Sequence, residues 1–500
     1  MRSSKFEPDL PPLLPFQPGP ASNGEFVPFD PSPHHLRMAA LAHERAEAIA
    51  HKQGIDRRAF LLGLGGLAVT LGAINSIACG DGKSKPGGVY NTPADGSPEA
   101  ACELLTGNEF IFDIQTHHVN PGTPPGAGLA RLFQSVNPDC DAGVPECFGR
   151  YYYIQDIFLD SDTTVAVLSD TPSPDDSSDP LTFDEMRNTL ETIDMLSSGG
   201  ASRSLLHSIV VPNVGRIEDQ LDLMQARSEN LDVSAWKVYT PYAGSTGKGW
   251  FLDDETYGIP VIEKARETGV KMICAHKGLP LFGFDPAYAS PRDIGVVAKA
   301  YPDMKFVVYH SGYDPNSTGP EGPYDEANAE RGVNALVKSL LDNGVQPNSN
   351  VYAELGSTWR GVMSDPAQAA HVLGKLLKYV GEDNVCWGTD CIWYGAPQPQ
   401  IVAFRAFQID PELAQQYGYP ELAADLKAKV FGLNAAKLYG IDADARRCAI
   451  QQDAVDQMRD RLSELAPNDA LPHWTNRQPI DRRGMLRYFA SIGGAWSPWR

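Results

Sequence analysis

Positive charge is scarce in this chain. Its 500 residues carry 42 Lys and Arg against 63 Asp and Glu, for a formal net charge of -21. Such a surface repels nucleic-acid phosphates and anionic lipid head groups, so neither is expected as a partner. A glycine-rich phosphate loop is missing too. None comes after the first strand-like run at 109–114, which removes the main support for an open doubly wound sheet. No apolar stretch makes a comfortable membrane span: the best, 56–80, is weakly hydrophobic, short and interrupted by Gly63, Gly65, Gly66 and Gly72. Histidine is sparse at 11 residues, so its placement is informative. Apolar residues are not lacking. At 42% they suffice for a large core, and the length suits one (β/α) barrel with appendages.

The N-terminal fifth reads as separate from that core. Residues 1–55 are expected to be disordered or to precede the true start: 1–33 are proline-rich without periodicity, and 38–54 read as a short helix. Arg57 and Arg58, with Phe60 and Leu61 just beyond them, resemble a twin-arginine export signal over 56–79, for which Met38 would be the more typical start. A buried apolar helix is the lesser alternative, since each glycine weakens a packed helix. Ser76-Ile77-Ala78-Cys79 resembles a lipobox, although Ser76 departs from its aliphatic preference. A lipid on Cys79 is the single route to a membrane. Residues 80–105 then read as a flexible tether. Export would place the protein in the periplasm or at the cell surface. There Cys140 and Cys147 could close a small disulfide, with two free thiols as the equal alternative.

From residue 106 onward, eight short runs rich in valine, isoleucine and aromatics alternate with amphipathic segments. They are 109–114, 163–169, 208–213, 235–240, 271–276, 305–310, 351–355 and 385–390, with helical patterns such as 183–197, 216–230 and 325–343 between them. Strand then helix, eight times, predicts an α/β protein: a (β/α)8 TIM barrel over 106–445. The long first crossover, 118–162, is expected to cover the barrel mouth as a lid. Residues 446–500 form a C-terminal extension, helical and then aromatic, packed on the barrel or across a homodimer.

Polar residues gather at the C-terminal ends of these runs. Gln115 and His117 lie just past the first, His276 ends the fifth, His310 the sixth and Asp390 the eighth. In a barrel these ends share one mouth, and residues two apart on a strand share a face. Imidazole nitrogens and a carboxylate at about 2.0–2.2 Å suit Zn or a similar divalent ion. His118 should face away, toward the lid.

These motifs together resemble the amidohydrolase-related family, which includes aminocarboxymuconate-semialdehyde decarboxylase and related hydrolases. They are D-x-Q-x-H at 113–117, AHKG at 275–278, VVYHSG at 307–312, WGTD at 387–390 and LNAAKLYGI at 433–441. The resemblance implies one divalent metal ion held by His117, His276 and Asp390, with His310 as the general base and Asp390 sharing the proton transfer. Gln115 stands where relatives have histidine or glutamate. A neutral carboxamide is a poorer ligand for Zn and tilts the site toward Mn or Mg. Lys237 and Glu354 are expected to bind a substrate carboxylate and to support a histidine respectively, with Arg131 and Trp393 as further substrate contacts. The function implied is metal-dependent hydrolysis of a small carboxylated or cyclic organic molecule. The alternatives are a carboxy-lyase on the same donors and a non-catalytic binding lipoprotein.

Overall fold

The computed structural model describes residues 14–22, 28–78, 87–93, 98–128, 145–173, 176–197, 201–230, 233–280, 284–315 and 319–465. A two-stranded antiparallel ribbon pairs β1 (Gly88–Tyr90) with β10 (Phe407–Ile409). Between them lie β2 (Phe112–Thr116), β3 (Val165–Leu168), β4 (Ser204–Val210), β5 (Val233–Tyr239), β6 (Met272–His276), β7 (Lys305–Tyr309), β8 (Val351–Glu354) and β9 (Val385–Cys386). These eight are parallel and hydrogen-bonded in sequence order. Closure comes from the Ile114 N–H donating to the Trp387 carbonyl (3.1 Å) and the Asp390 N–H to that of Gln115 (2.9 Å). A parallel bridge joins Thr116 to Cys391. The structure is a (β/α)8 barrel.

Its strands are those the apolar runs mark, with two shifts. β4 starts at Ser204, before the run at 208–213, because Leu205 and Leu206 already face other strands. β9 is only two residues long: the chain leaves the ladder after Cys386 and reaches Asp390 with φ 60°. Helices Phe183–Leu196, Ile217–Asn230 and Gly332–Asn343 occupy the amphipathic stretches.

The N-terminal region departs most from expectation. Residues 14–22 pack on the barrel, with Leu14, Phe16 and Ser22 buried, so the disordered reading fails there, while the short helix expected at 38–54 forms over 33–53. This helix, α1 (Pro33–Gln53), begins with Ser32 capping the His35 N–H and ends at Gly54 in the left-handed region, φ 67°. Then come α2 (Arg57–Leu62) and α3 (Leu64–Ala78), the stretch with the export-signal pattern. Leu67, Ala68, Leu71 and Ile74 of α3 belong to the main hydrophobic core. Two of the glycines that argued against a packed helix, Gly65 and Gly66, are sites of close approach. A Cβ on Gly65 would lie 2.6 Å from the Phe60 ring, and one on Gly66 2.4 Å from the Leu61 carbonyl.

The tether expected over 80–105 is likewise structured where it is described. It supplies β1 and α4 (Pro98–Leu105), with Tyr90, Ala101 and Leu105 in the core. Cys79 and Cys140 lie outside the described residues; Cys147 is disulfide-bonded. Among the described residues no helix is long and apolar enough to cross a membrane. In the C-terminal extension, helices Ala443–Ile450 and Ala454–Leu465 return to the barrel wall, while its aromatic end lies outside the described residues.

Candidate active site

The barrel brings Gln115, His117, His276, His310 and Asp390 together, all at most 2% exposed. The alternation of β2 points Gln115 and His117 the same way, while His276 ends β6. His310 and Asp390 leave β7 and β9 in left-handed backbone, φ 63° and 60°, as do Ser311 (53°) and Ser357 (57°). Four non-glycine residues in this region around one site represent strain that the surroundings must hold. Glu354, at the end of β8, does much of this. Its Oε2 accepts the His310 backbone N–H (3.0 Å), its Oε1 accepts that of Gly356, and its carbonyl accepts the Ser311 hydroxyl (2.7 Å). Burial pushes its carboxyl up to about 8.

The outer partners of the histidines set their tautomers. His117 Nδ1 lies 2.7 Å from the Ser169 carbonyl, His276 Nε2 3.0 Å from that of Leu279, and His310 Nδ1 2.7 Å from that of Gly356. A carbonyl can only accept, so each of these ring nitrogens carries the hydrogen. In the neutral rings the inner nitrogens then present lone pairs. His276 Nδ1 and His310 Nε2 face each other at 3.1 Å, and His117 Nε2 faces Asp390 Oδ1 at 3.3 Å. Burial holds His276 below the usual imidazole range and lowers His310 to about 4, so a proton on these two does not resolve the conflict near neutrality. Burial also acts to raise Asp390, but contact with His117 and the nearby His310 bring it below the usual carboxylate value.

Gln115 supplies the inward hydrogens. Its Nε2 donates to Asp390 Oδ1 (3.0 Å) and lies 3.4 Å from His310 Nε2, while its Oε1 is buried with no hydrogen-bond partner. Converging lone pairs, a carboxylate and an orphaned amide oxygen are a donor set that fits a divalent cation. Outer N–H groups held by carbonyls are how such ligands are oriented. Among the described residues, however, no three His, Cys, Asp or Glu side chains are spaced to hold an ion as they stand. The expected ligands do meet, but as a hydrogen-bonded cluster with the carboxamide inside it. Half a turn of the soft terminal torsion of Gln115 exchanges Nε2 for Oε1. Gln115→His is therefore expected to tighten Zn2+ binding about tenfold, because imidazole is the better donor. Competition with a chromophoric chelator measures this, and an unchanged affinity would remove position 115 from the ligand set.

The expected substrate contacts fare differently. Lys237 is fully buried, with Nζ 3.2 Å from the Tyr309 ring centroid. Glu354 touches the His310 backbone, and Trp393 stacks on His117 with centroids 5.8 Å apart. All three support the site from within. For Glu354 this matches the expected support of a histidine; Lys237 and Trp393 were expected to face substrate because a strand-tip position does not reveal depth. Arg131 lies outside the described residues. His118 bonds the Thr189 hydroxyl (3.0 Å) and packs on Tyr153 of the first crossover, whose hydroxyl meets that of Thr116. Sequence reasoning missed Ser357 and Tyr394. Ser357 donates to Asp390 Oδ2 (2.5 Å) and meets the Tyr394 hydroxyl at 2.8 Å. Ser357 lies three residues past the end of β8 and Tyr394 eight past the end of β9, in loops that periodicity does not mark.

Residues 210–441 match the amidohydrolase family model. No curated protein matches the chain. Among solved structures, the chain is similar to 5-carboxyvanillate decarboxylase from Sphingomonas paucimobilis, at 13% identity over 67% of this chain and 99% of that one (TM-score 0.41). It is also similar to the Novosphingobium aromaticivorans enzyme of that name, complexed with manganese (14%, 68% and 99%, TM-score 0.37). A third is dihydroorotase from Campylobacter jejuni (14%, 67% and 84%, TM-score 0.36). The parallel eight-stranded barrel and the match over 210–441 are consistent with an amidohydrolase-related family.

Proposed function

We propose that this chain is a metal-dependent hydrolase acting on a small cyclic or carboxylated organic molecule. The observation that carries the reading is the direction of the site's hydrogens. Three imidazole N–H groups point outward to the carbonyls of Ser169, Leu279 and Gly356, so the inner ring nitrogens are proton acceptors and the inward hydrogens come from the Gln115 carboxamide. Such a site is built to take a proton from water. Protonation of a carbanion after CO2 loss needs the opposite, a donor that is loaded at rest.

His117, His276 and Asp390, with Gln115 through Oε1, would hold the cation, and Mn2+ or Mg2+ suits the amide oxygen better than Zn2+ does. When bound, it supplies Lewis acidity that polarises a carbonyl and makes water a stronger acid. His310 takes the proton at Nε2 and returns it to the leaving group. Its ring is fixed by the Gly356 carbonyl and its backbone by Glu354. Ser357 and Tyr394 extend the hydrogen-bonded line from Asp390 outward, placing hydroxyls where a substrate oxygen can meet them. Purified protein is expected to contain close to one divalent ion per chain. With lactones and aryl esters in 18O-labelled water it should place one solvent oxygen in the product. Release of CO2 from any well-turned-over carboxylated substrate would reverse the assignment in favour of a carboxy-lyase.

A further inference from the structure

A cavity of about 570 Å³ adjoins the histidine and aspartate cluster. Its inner side includes Leu279, whose carbonyl holds His276, and Ser357 and Tyr394, whose hydroxyls lead to Asp390. The opposite side does not come from the barrel. It is built by Gly19, Pro20 and Ala21, by Phe29 and by His35 of α1. This segment is fastened down. The buried Arg360 guanidinium donates to the carbonyls of Gln17 (3.2 Å) and Gly19 (3.4 Å), and the Gly19 N–H donates to the Ser364 hydroxyl (3.1 Å). Gly19 itself, φ 120°, lies against His35, where an added Cβ would come within 3.2 Å of the ring.

We propose that residues 19–21, Phe29 and His35 form the outer wall of the substrate cavity and select substrates whose far end is an uncharged ring. This rests on reading the histidine and aspartate cluster as the active site. Among the described residues no Lys or Arg lines the cavity, and the one carboxylate there is Asp365. A second anionic group at the far end of a substrate would thus find no lining Lys or Arg to pair with and would face the Asp365 carboxylate, since the Arg360 guanidinium behind the wall is engaged by the Gln17 and Gly19 carbonyls. The rings of Phe29, Tyr313 and Tyr394 offer flat apolar faces, and the hydroxyls of Ser364 and Tyr313 offer hydrogen bonds to a neutral substituent. The chain ahead of the barrel is then part of the recognition machinery.

The test is calorimetric titration of the full chain, equilibrated with Mn2+, using 4-hydroxybenzoate, terephthalate and acetate. Wild-type protein is expected to bind 4-hydroxybenzoate at least about tenfold more tightly than terephthalate. His35→Trp, which fills the cavity, should raise the ratio of the 4-hydroxybenzoate to the acetate dissociation constant by about tenfold. His35→Ala should shift it in the same direction by a smaller factor, which covers the case of a misfolded Trp variant. A ratio that stays constant across wild type and both variants, or equal binding of the two aromatic acids, overturns the proposal. Protein that takes up no Mn2+ but keeps the His35-dependent ratio supports the wall and overturns the cation site instead.

Discussion

Replacing His276 with alanine is expected to abolish cation retention and to lower kcat/KM by about a thousandfold, or about 4 kcal/mol of transition-state stabilisation. The residue is 1% exposed, its outer nitrogen is held by the Leu279 carbonyl, and its ring stacks on Tyr239 with centroids 5.1 Å apart. With the ring so fixed, the inner Nδ1 has one direction to face, toward His310 Nε2 at 3.1 Å. The variant also leaves the Leu279 carbonyl without its donor, so a stability loss of about 1–3 kcal/mol accompanies the chemical one. The two effects separate by comparison with His310→Ala. That change removes the base, so it should lower kcat by about a hundredfold or more while the metal content stays near wild type. Elemental analysis of both variants, beside their denaturation midpoints, decides the matter. Loss of metal in both would make His310 a ligand. Retention in both would take His276 out of the coordination sphere.

The barrel was legible because its strands are buried on both faces and therefore read as unbroken apolar runs, and because parallel neighbours require the intervening helices. The site was legible in part for the same reason. His117, His276, His310 and Asp390 stand directly at the ends of such runs, where the topology alone assigns them to one mouth. Depth was not legible. Lys237 and Trp393 look like mouth residues by position, yet one lies over Tyr309 and the other against His117. The loops also stayed dark, so Ser357, Tyr394 and the glycine at 356 gave no periodic signal. Gly356 is required because a Cβ there would come within 2.2 Å of Gln115 Oε1. The packing of the N-terminal region was the least legible. Glycine spacing and paired arginines form a sequence pattern, whereas the contact of Gly65 with Phe60 and of Gly66 with Leu61 exists only in three dimensions. Likewise the proline-rich stretch at 14–22 has no periodicity of its own. It is ordered by its bonds to Arg360 and Ser364, more than 340 residues away.

The second large effect lies at the other end of the barrel and concerns stability alone. Arg203→Met is expected to destabilise the fold by about 3–5 kcal/mol, because it strands a buried carboxylate. Arg203, just ahead of β4, is 1% exposed and grips Asp453 through Nε (2.6 Å) and Nη2 (2.9 Å), with Nη2 also reaching Asp456 (2.8 Å). The Asp453 carboxylate, fully buried, in turn accepts the Asp456 N–H (3.0 Å) at the start of helix Ala454–Leu465. One ion pair thus fastens the C-terminal helices to the strand entrances. If the cost of the single change is the uncompensated charge, removing the charge as well should recover most of it. Arg203→Met combined with Asp453→Ser keeps a helix-capping oxygen and should come within about 2 kcal/mol of wild type. Guanidinium denaturation of wild type, both single variants and the double variant gives the coupling energy directly. Simple additivity, with the double variant as unstable as the two losses summed, would show that the deficit comes from lost contacts and not from the stranded charge. Since strand entrances lie opposite the mouth, kcat per folded molecule should not change in any of the three variants. A fall in kcat would mean that the C-terminal helices act on the site as well as on the fold.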